Sequence, residues 1–213
     1  MFKIHSKIVL RIPVNTNNII ISMSGGTDST LLTYLTAKYF SDNNVKKNIT
    51  PLFFLPKDKP NYFLYKRAND ILKQISNLTK FKFNNSRIEY LKDKTELSSG
   101  DFDRFSNIDF VVVGATKNPN IKFHDDDHRD KKRDDNEIMI DDYGKVVPKK
   151  IIPLYHLNKR DIAKIYKEQN LLRSLLPLTF SCISKNVQLT DNHTKPCKQC
   201  WWCEEKKWAF GFY

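Results

Sequence analysis

Two groups of residues in this chain have types and spacings that do chemistry. The first is Ser24-Gly25-Gly26-Thr27-Asp28-Ser29-Thr30. It follows the apolar run Ile19-Ile20-Ile21 and precedes Leu31-Leu32-Thr33-Tyr34-Leu35. A strand, a tight glycine turn and a helix N-terminus therefore fall within about a dozen residues. That order aims several backbone N–H groups and the positive end of a helix dipole at one point, a site for an anion and above all a phosphate. Gly25 and Gly26 can take positive φ and let a ligand approach the backbone. Ser24, Ser29 and Thr30 add hydroxyl donors. Asp28 either caps the helix or helps order a magnesium ion held mainly by the phosphates. The candidate ligand contacts run from the strand end at Ser22 and Met23 through Ser24, Gly25, Gly26, Thr27, Asp28, Ser29 and Thr30.

The second group is Cys182, Cys197, Cys200 and Cys203, which are all the cysteines of the chain and lie in its last 32 residues. Cys197-x-x-Cys200-x-x-Cys203 makes two overlapping steps, and 14 residues separate Cys182 from Cys197. The start of the chain carries no secretory apolar stretch, because Lys7 and Arg11 interrupt it. Clustered thiols without an export signal argue for a metal rather than a disulfide framework. Four thiolates make a closed structural zinc site, which also helps fold a tail that could bury little alone. Iron–sulfur chemistry uses four cysteines as well and stays open.

The elements that must position these groups follow from periodicity and turn residues. At 213 residues the chain suits one α/β domain, 1–176, with a small metal lobe, 177–213. Residues 7–12 read as an added strand or hairpin arm, and 18–23 as a core strand buried on both faces. A helix over 29–40, a strand over 49–55 and a helix over 61–75 follow. Residues 81–83 and 87–90 are β-like, 92–107 reads as a short helix and loop, and 108–113 is a strand ending at Gly114. The charged stretch 124–135 reads as a mobile solvated excursion, with a divalent-ion site at its histidines and aspartates as the alternative. Residues 151–154 form a short strand, and Asn158 with Asp161 caps a helix running to about Asn170. The fold class is α/β, a doubly wound, mostly parallel sheet. Ligands in such sheets lie beyond the strand carboxyl ends, which nominates the Ser24 loop, Leu55, and Gly114 to Lys117.

The chain carries 36 Lys and Arg against 24 Asp and Glu, a net charge of +12. The lysines are scattered, so the surplus reads as dispersed solvated charge; nucleic acid is permitted as a partner but not favoured. No run of about 18 apolar residues is present, so no membrane span is expected and the cytoplasm is the expected location.

Ser24 to Ser29 resembles the SGGxDS loop of the PP-loop ATP pyrophosphatases. It lacks the Gly-Lys-Ser/Thr ending of a Walker loop and the third glycine of the dinucleotide fingerprint. Leu178-Thr179-Phe180-Ser181-Cys182 followed by Pro196-Cys197-x-x-Cys200-x-x-Cys203 resembles the end of the 7-cyano-7-deazaguanine synthases of that superfamily. Ile152-Pro153-Leu154 and Leu157-Asn158-Lys159-Arg160-Asp161-Ile162 are similar to that family's approach to its penultimate helix. The resemblance implies ATP, Mg2+ and Zn2+ as cofactors, pyrophosphate on the loop, and a deazapurine carboxylate and ammonia as substrates. It implies a homodimer and catalytic roles for Asp28, Ser29 and Lys159. Lys159 is either a phosphate or carboxylate partner or a solvated first-turn lysine; Lys117 is a weaker candidate of the same kind. The chain departs from the family at Phe53-Phe54-Leu55-Pro56-Lys57 and at Gly114-Ala115-Thr116-Lys117-Asn118-Pro119, where the base would be recognised. Those departures mark a divergent branch and would suit a phage-encoded protein. A tRNA-modifying PP-loop enzyme and a non-enzymatic nucleic-acid binder are the alternatives.

Overall fold

The computed structural model describes residues 1–13, 15–56, 62–91, 110–123, 133, 149–182 and 195–213. A hairpin of β1 (Phe2–His5) and β2 (Ile8–Leu10) comes first. Five parallel strands follow: β3 (Asn18–Ser22), β4 (Asn48–Pro56), β5 (Arg87–Leu91), β6 (Phe110–Val113) and β7 (Lys149–Ile151). Their order across the sheet is β5-β4-β3-β6-β7. The chain steps one way from β3 to β5, then returns to the other side of β3. The reversal falls between β3 and β6, where a doubly wound sheet leaves a crevice at its carboxyl edge. The residues after β3 are the Ser24 loop, so the sheet order itself sets that loop in the crevice.

Ile19 and Ile21 of β3 face the larger core with α1 (Thr27–Asp42), α2 (Tyr62–Thr79) and α3 (Lys159–Glu168). Alternation along the strand turns Ile20 to the other face, where it is buried with Leu52 and Val111. Burial on both faces is why the strand reads as an unbroken apolar run. The hairpin is not part of the sheet. It packs Phe2 edge-on against Tyr39 and Phe40 of α1, at 5.9 and 5.4 Å between ring centres.

Several local expectations are corrected. Helix α1 begins at Thr27, two residues before Ser29, and its N-cap is Gly26 without a side-chain cap. Asp28 is therefore inside the first turn and is not the cap. Residues 81–83 do not form a strand. Lys80 takes a left-handed φ of 60°, and Phe81 and Phe83 turn into the core beside Phe40 rather than into the ladder. Pairing with β4 starts at Arg87, opposite Leu52. The expected elements at 92–107 and 124–135 lie outside the described residues, apart from Arg133.

The last helix, α4 (Trp201–Phe210), packs on α3. Its Phe210 meets Tyr166 of α3 edge-on at 5.5 Å. Phe180, Cys182, Cys200 and Cys203 form a small core of their own, with Trp202 and Tyr213 against it. Among the described residues no helix is long and apolar enough to cross a membrane.

Candidate functional site

The loop after β3 is held by its own backbone and hydroxyls. Gly25 has a φ of 76°, the left-handed conformation that glycine adopts without strain. The Ser24 and Ser29 hydroxyls lie 3.0 Å apart, and the Gly26 N–H donates to Ser24 Oγ at 3.3 Å. Gly114, at the end of β6, touches the next turn directly. A Cβ there would stand 2.7 Å from Ser29 Cα and 2.8 Å from Ser29 N. Only glycine allows β6 and the start of α1 to approach this closely.

These pieces line a cleft of about 340 Å³. One wall is Ser24, Gly26, Thr27 and Asp28; another is Phe53, Phe54, Leu55 and Tyr65; a third is Gly114 to Thr116. The fourth wall comes from the cysteine end of the chain: Phe180, Ser181, Cys182 and Trp202. The Phe180 N–H donates to the Gly25 carbonyl at 2.9 Å, which ties that strap to the loop.

At the floor, charged side chains close a ring. Lys159 Nζ donates to Asp28 Oδ2 at 2.6 Å and lies 3.5 Å from Glu205 Oε2. Glu205 Oε1 accepts from Arg133 Nη2 at 2.7 Å. Arg133 Nη2 also reaches Thr116 Oγ1 at 2.9 Å, and Thr116 Oγ1 donates to Asp28 Oδ2 at 3.1 Å. Two cations and two anions balance, as burial requires of charge. Lys159 is 8% exposed, Asp28 12% and Glu205 1%. The solvated first-turn reading of Lys159 is thus overturned: its partner is a carboxylate on the loop. The Asn158 cap holds as expected, with Asp161 completing the capping box.

The structure brings Ser24, Gly26, Thr27, Asp28, Met23, Leu55, Gly114 and Lys159 to one cleft. Ser29 reaches it through Ser24 Oγ. Thr30 is buried beneath the loop, and Tyr166 donates from below to the Thr27 carbonyl at 2.9 Å. Ser22 ends β3, paired with Leu52 and Val113. The Lys117 side chain is exposed and does not line the cleft; its carbonyl accepts from Arg133 at 3.1 Å. Thr116 falls within the nominated stretch Gly114 to Lys117 and lines the cleft, whereas Arg133 and Glu205 are not legible as site residues. Arg133 sits in a run of charges, and Glu205 looks like any helical glutamate until its burial is seen.

The four cysteine sulfurs lie within 4.8 Å of one another. Two of the pairs, Cys197 with Cys203 and Cys182 with Cys200, are 3.9 Å apart. A tetrahedron of thiolates about 2.3 Å from one zinc ion has edges of about 3.8 Å, so the donor set fits one four-coordinate ion. The Cys197 N–H donates to Cys182 Sγ and the Cys200 N–H to Cys197 Sγ, at 3.4 and 3.3 Å. Lys198 makes the turn between two ligands with a φ of 64°. The Cys203 thiol is pushed far up, first by its hydrogen bonds with Cys182 and Cys200 and then by burial. Thiolates packed this closely need a cation among them. Burial first, then the Arg67 guanidinium, draws the nearby Lys206 ammonium down to about 8. Lys206 donates to the Thr179 carbonyl at 3.3 Å.

No family model and no curated protein matches the chain. Among solved structures it is similar to the U34-tRNA thiolase NcsA of Methanococcus maripaludis, a structure with a 4Fe–4S cluster, at 15% identity and TM-score 0.48, over 79% of this chain and 61% of that one. It is similar to Candida glabrata FMN adenylyltransferase, in complex with FMN and the ATP analogue AMPCPP, at 16% identity and TM-score 0.40, over 70% of this chain and 48% of that one. The NAD+ synthetase of Burkholderia pseudomallei matches at 10% identity and TM-score 0.39, over 93% of this chain and 75% of that one. The chain thus spans about three-fifths of the thiolase chain and just under half of the adenylyltransferase. The α/β assignment stands on the sheet order given above.

Proposed function

We propose that this chain is an ATP-dependent ligase that activates a carboxylate as an acyl adenylate. ATP would lie in the cleft with its β- and γ-phosphates on the N–H groups and hydroxyls of Ser24 to Ser29, and Mg2+ would neutralise them. The substrate carboxylate attacks the α-phosphorus, the bond to the bridging oxygen breaks, and pyrophosphate leaves. The protein's part is positioning and charge neutralisation. Lys159, held by Asp28 at the loop, supplies the cation for the developing negative charge.

The observation that carries this reading is the SGGTDS loop at the strand-order reversal, with a buried lysine on its aspartate and Cys182 of the four-thiol centre lining the same cleft. The loop and the cysteine pattern together support the finer reading, a 7-cyano-7-deazaguanine synthase type. There 7-carboxy-7-deazaguanine is adenylated, ammonia displaces AMP to give the amide, and a second adenylation eliminates the amide oxygen to leave the nitrile. Zn2+ would be held by Cys182, Cys197, Cys200 and Cys203 in a closed structural site. Four sulfurs this close support a single ion; a multi-iron cluster spreads its thiolates over different irons. A cytoplasmic enzyme acting on small molecules follows from this reading.

Purified protein is given Mg-ATP, the 7-carboxy base and ammonium, and products are read by mass spectrometry. Amide and nitrile are expected, with pyrophosphate and AMP. Intact ATP with neither product, in protein that holds its metal, sinks the assignment. A tRNA-thiolating reading is favoured by one observation, that Cys182 faces the cleft. A brown protein with visible absorption would select it over a colourless one.

A further inference from the structure

Glu205 belongs to neither motif, yet among the described residues it is one of the most buried charged groups, 1% exposed. It sits on α4, whose N-cap is Cys200 and whose first turn carries Cys203. Two residues along a helix are about 200° apart, so Cys203 and Glu205 project from opposite sides of one turn. Cys203 points to the other thiols. Glu205 points to Lys159 and Arg133, whose partners are Asp28 on the loop and Thr116 after β6. Arg133 also stacks on Trp201, 5.1 Å from its ring centre, and Trp201 is the first residue of α4. One helical turn thus touches the metal ligands on one side and the floor of the cleft on the other.

From this geometry we infer that Glu205 is a positioning residue that couples the metal centre to the nucleotide cleft. A ten-residue helix is marginal by itself, so α4 takes its order from the ion and from packing. With the metal bound, the turn at Cys200 to Glu205 is fixed and the carboxylate holds Lys159 and Arg133 beside Asp28. Loss of the metal frees that turn, Glu205 leaves, and Lys159 is held only by its loop partners, the Asp28 carboxylate and the Thr27 hydroxyl. Coupling of this kind is reciprocal, so nucleotide in the cleft must tighten metal binding by the same factor that metal tightens nucleotide binding.

The inference rests on the cleft being a nucleotide site, and the test separates the two. Mg-AMPCPP binding is measured by calorimetry for metal-loaded and chelator-stripped wild type and for Glu205→Gln and Glu205→Asp, with metal content checked in each. Stripping is expected to weaken wild-type binding about tenfold, within the usual range of site-to-site coupling. Metal-loaded Glu205→Gln should bind as weakly as stripped wild type and lose little more on stripping, whereas Glu205→Asp should recover part of the affinity. Wild-type protein titrated with a chromogenic chelator, with and without Mg-AMPCPP, gives the reciprocal term without any variant. Nucleotide binding that is tight but indifferent to metal and to Glu205→Gln overturns the coupling alone. Metal affinity unmoved by bound nucleotide overturns it too. Wild type that binds no nucleotide overturns the ATP reading and the coupling with it.

Discussion

Gly114→Ala is a one-methyl change whose consequences can be worked from distances. The new Cβ would lie 2.7 Å from Ser29 Cα, 2.8 Å from Ser29 N and 3.0 Å from the Asp28 carbonyl carbon. Carbon atoms rest at about 3.5–4.0 Å, so the first turn of α1 and the end of β6 must separate by about 1 Å. Strand β6 is paired on both sides, by β3 and β7, and yields less readily than the helix end. The displacement therefore falls on Asp28 and Ser29, the residues that present the loop to its ligand. Overpacking of this size costs about 1–3 kcal/mol of stability. A displacement of about 1 Å in a positioning element can cost about 100-fold in turnover. Urea unfolding and pyrophosphate release, measured on the same preparation, separate the two effects. Gly211→Ala is the control: its φ is 84°, but nothing lies within 4 Å, so it should lose a little stability and leave pyrophosphate release unchanged. Wild-type stability and turnover in Gly114→Ala would refute the close-approach account of this glycine.

Lys159→Met leaves Asp28 and Glu205 against one cation instead of two. It should destabilise the fold by about 3 kcal/mol, as breaking a buried pair does, and abolish pyrophosphate release while metal content stays whole. Tyr166→Phe removes the donor to the Thr27 carbonyl and should cost about 1 kcal/mol in chemical denaturation. Burial raises the Tyr166 hydroxyl well above 10, so its contribution is complete below the unfolded value near 10 and is lost as pH climbs past it. Part of the alkaline loss of stability should therefore vanish in Tyr166→Phe, visible as a flatter melting-temperature profile above pH 10. Replacing the bound metal with Co2+ should give the absorption of a tetrahedral thiolate site, one ion per chain, and Cys200→Ser should abolish it; an unchanged spectrum would remove Cys200 from the ligand set.

The sequence by itself determined the local pieces. Residues 19–21 form a strand because a parallel strand buried on both faces needs an unbroken apolar run. Gly25 turns the loop because its φ is positive. Asn158 and Asp161 cap α3 because their spacing satisfies the first-turn N–H groups. Four clustered cysteines announced a shared centre because the spacing of two C-x-x-C steps brings sulfurs together within one turn.

Only the tertiary structure decided what those pieces meet. The helix boundary at Thr27 put Asp28 inside the first turn and gave its carboxylate to Lys159, which lies 131 positions away. Whether Lys159 is solvated or buried depends on what α1 and α4 set against it, and no local pattern reports that. Arg133 and Glu205 joined the site for the same reason: a buried charge must find opposite charge wherever the fold brings it, and sequence distance does not enter. Lys117 looked like a ligand lysine by position, but the backbone beyond Gly114 turns its side chain to solvent and leaves its carbonyl to Arg133. The chemistry of each residue type is local, whereas which residues share a low-dielectric floor is settled by long-range packing.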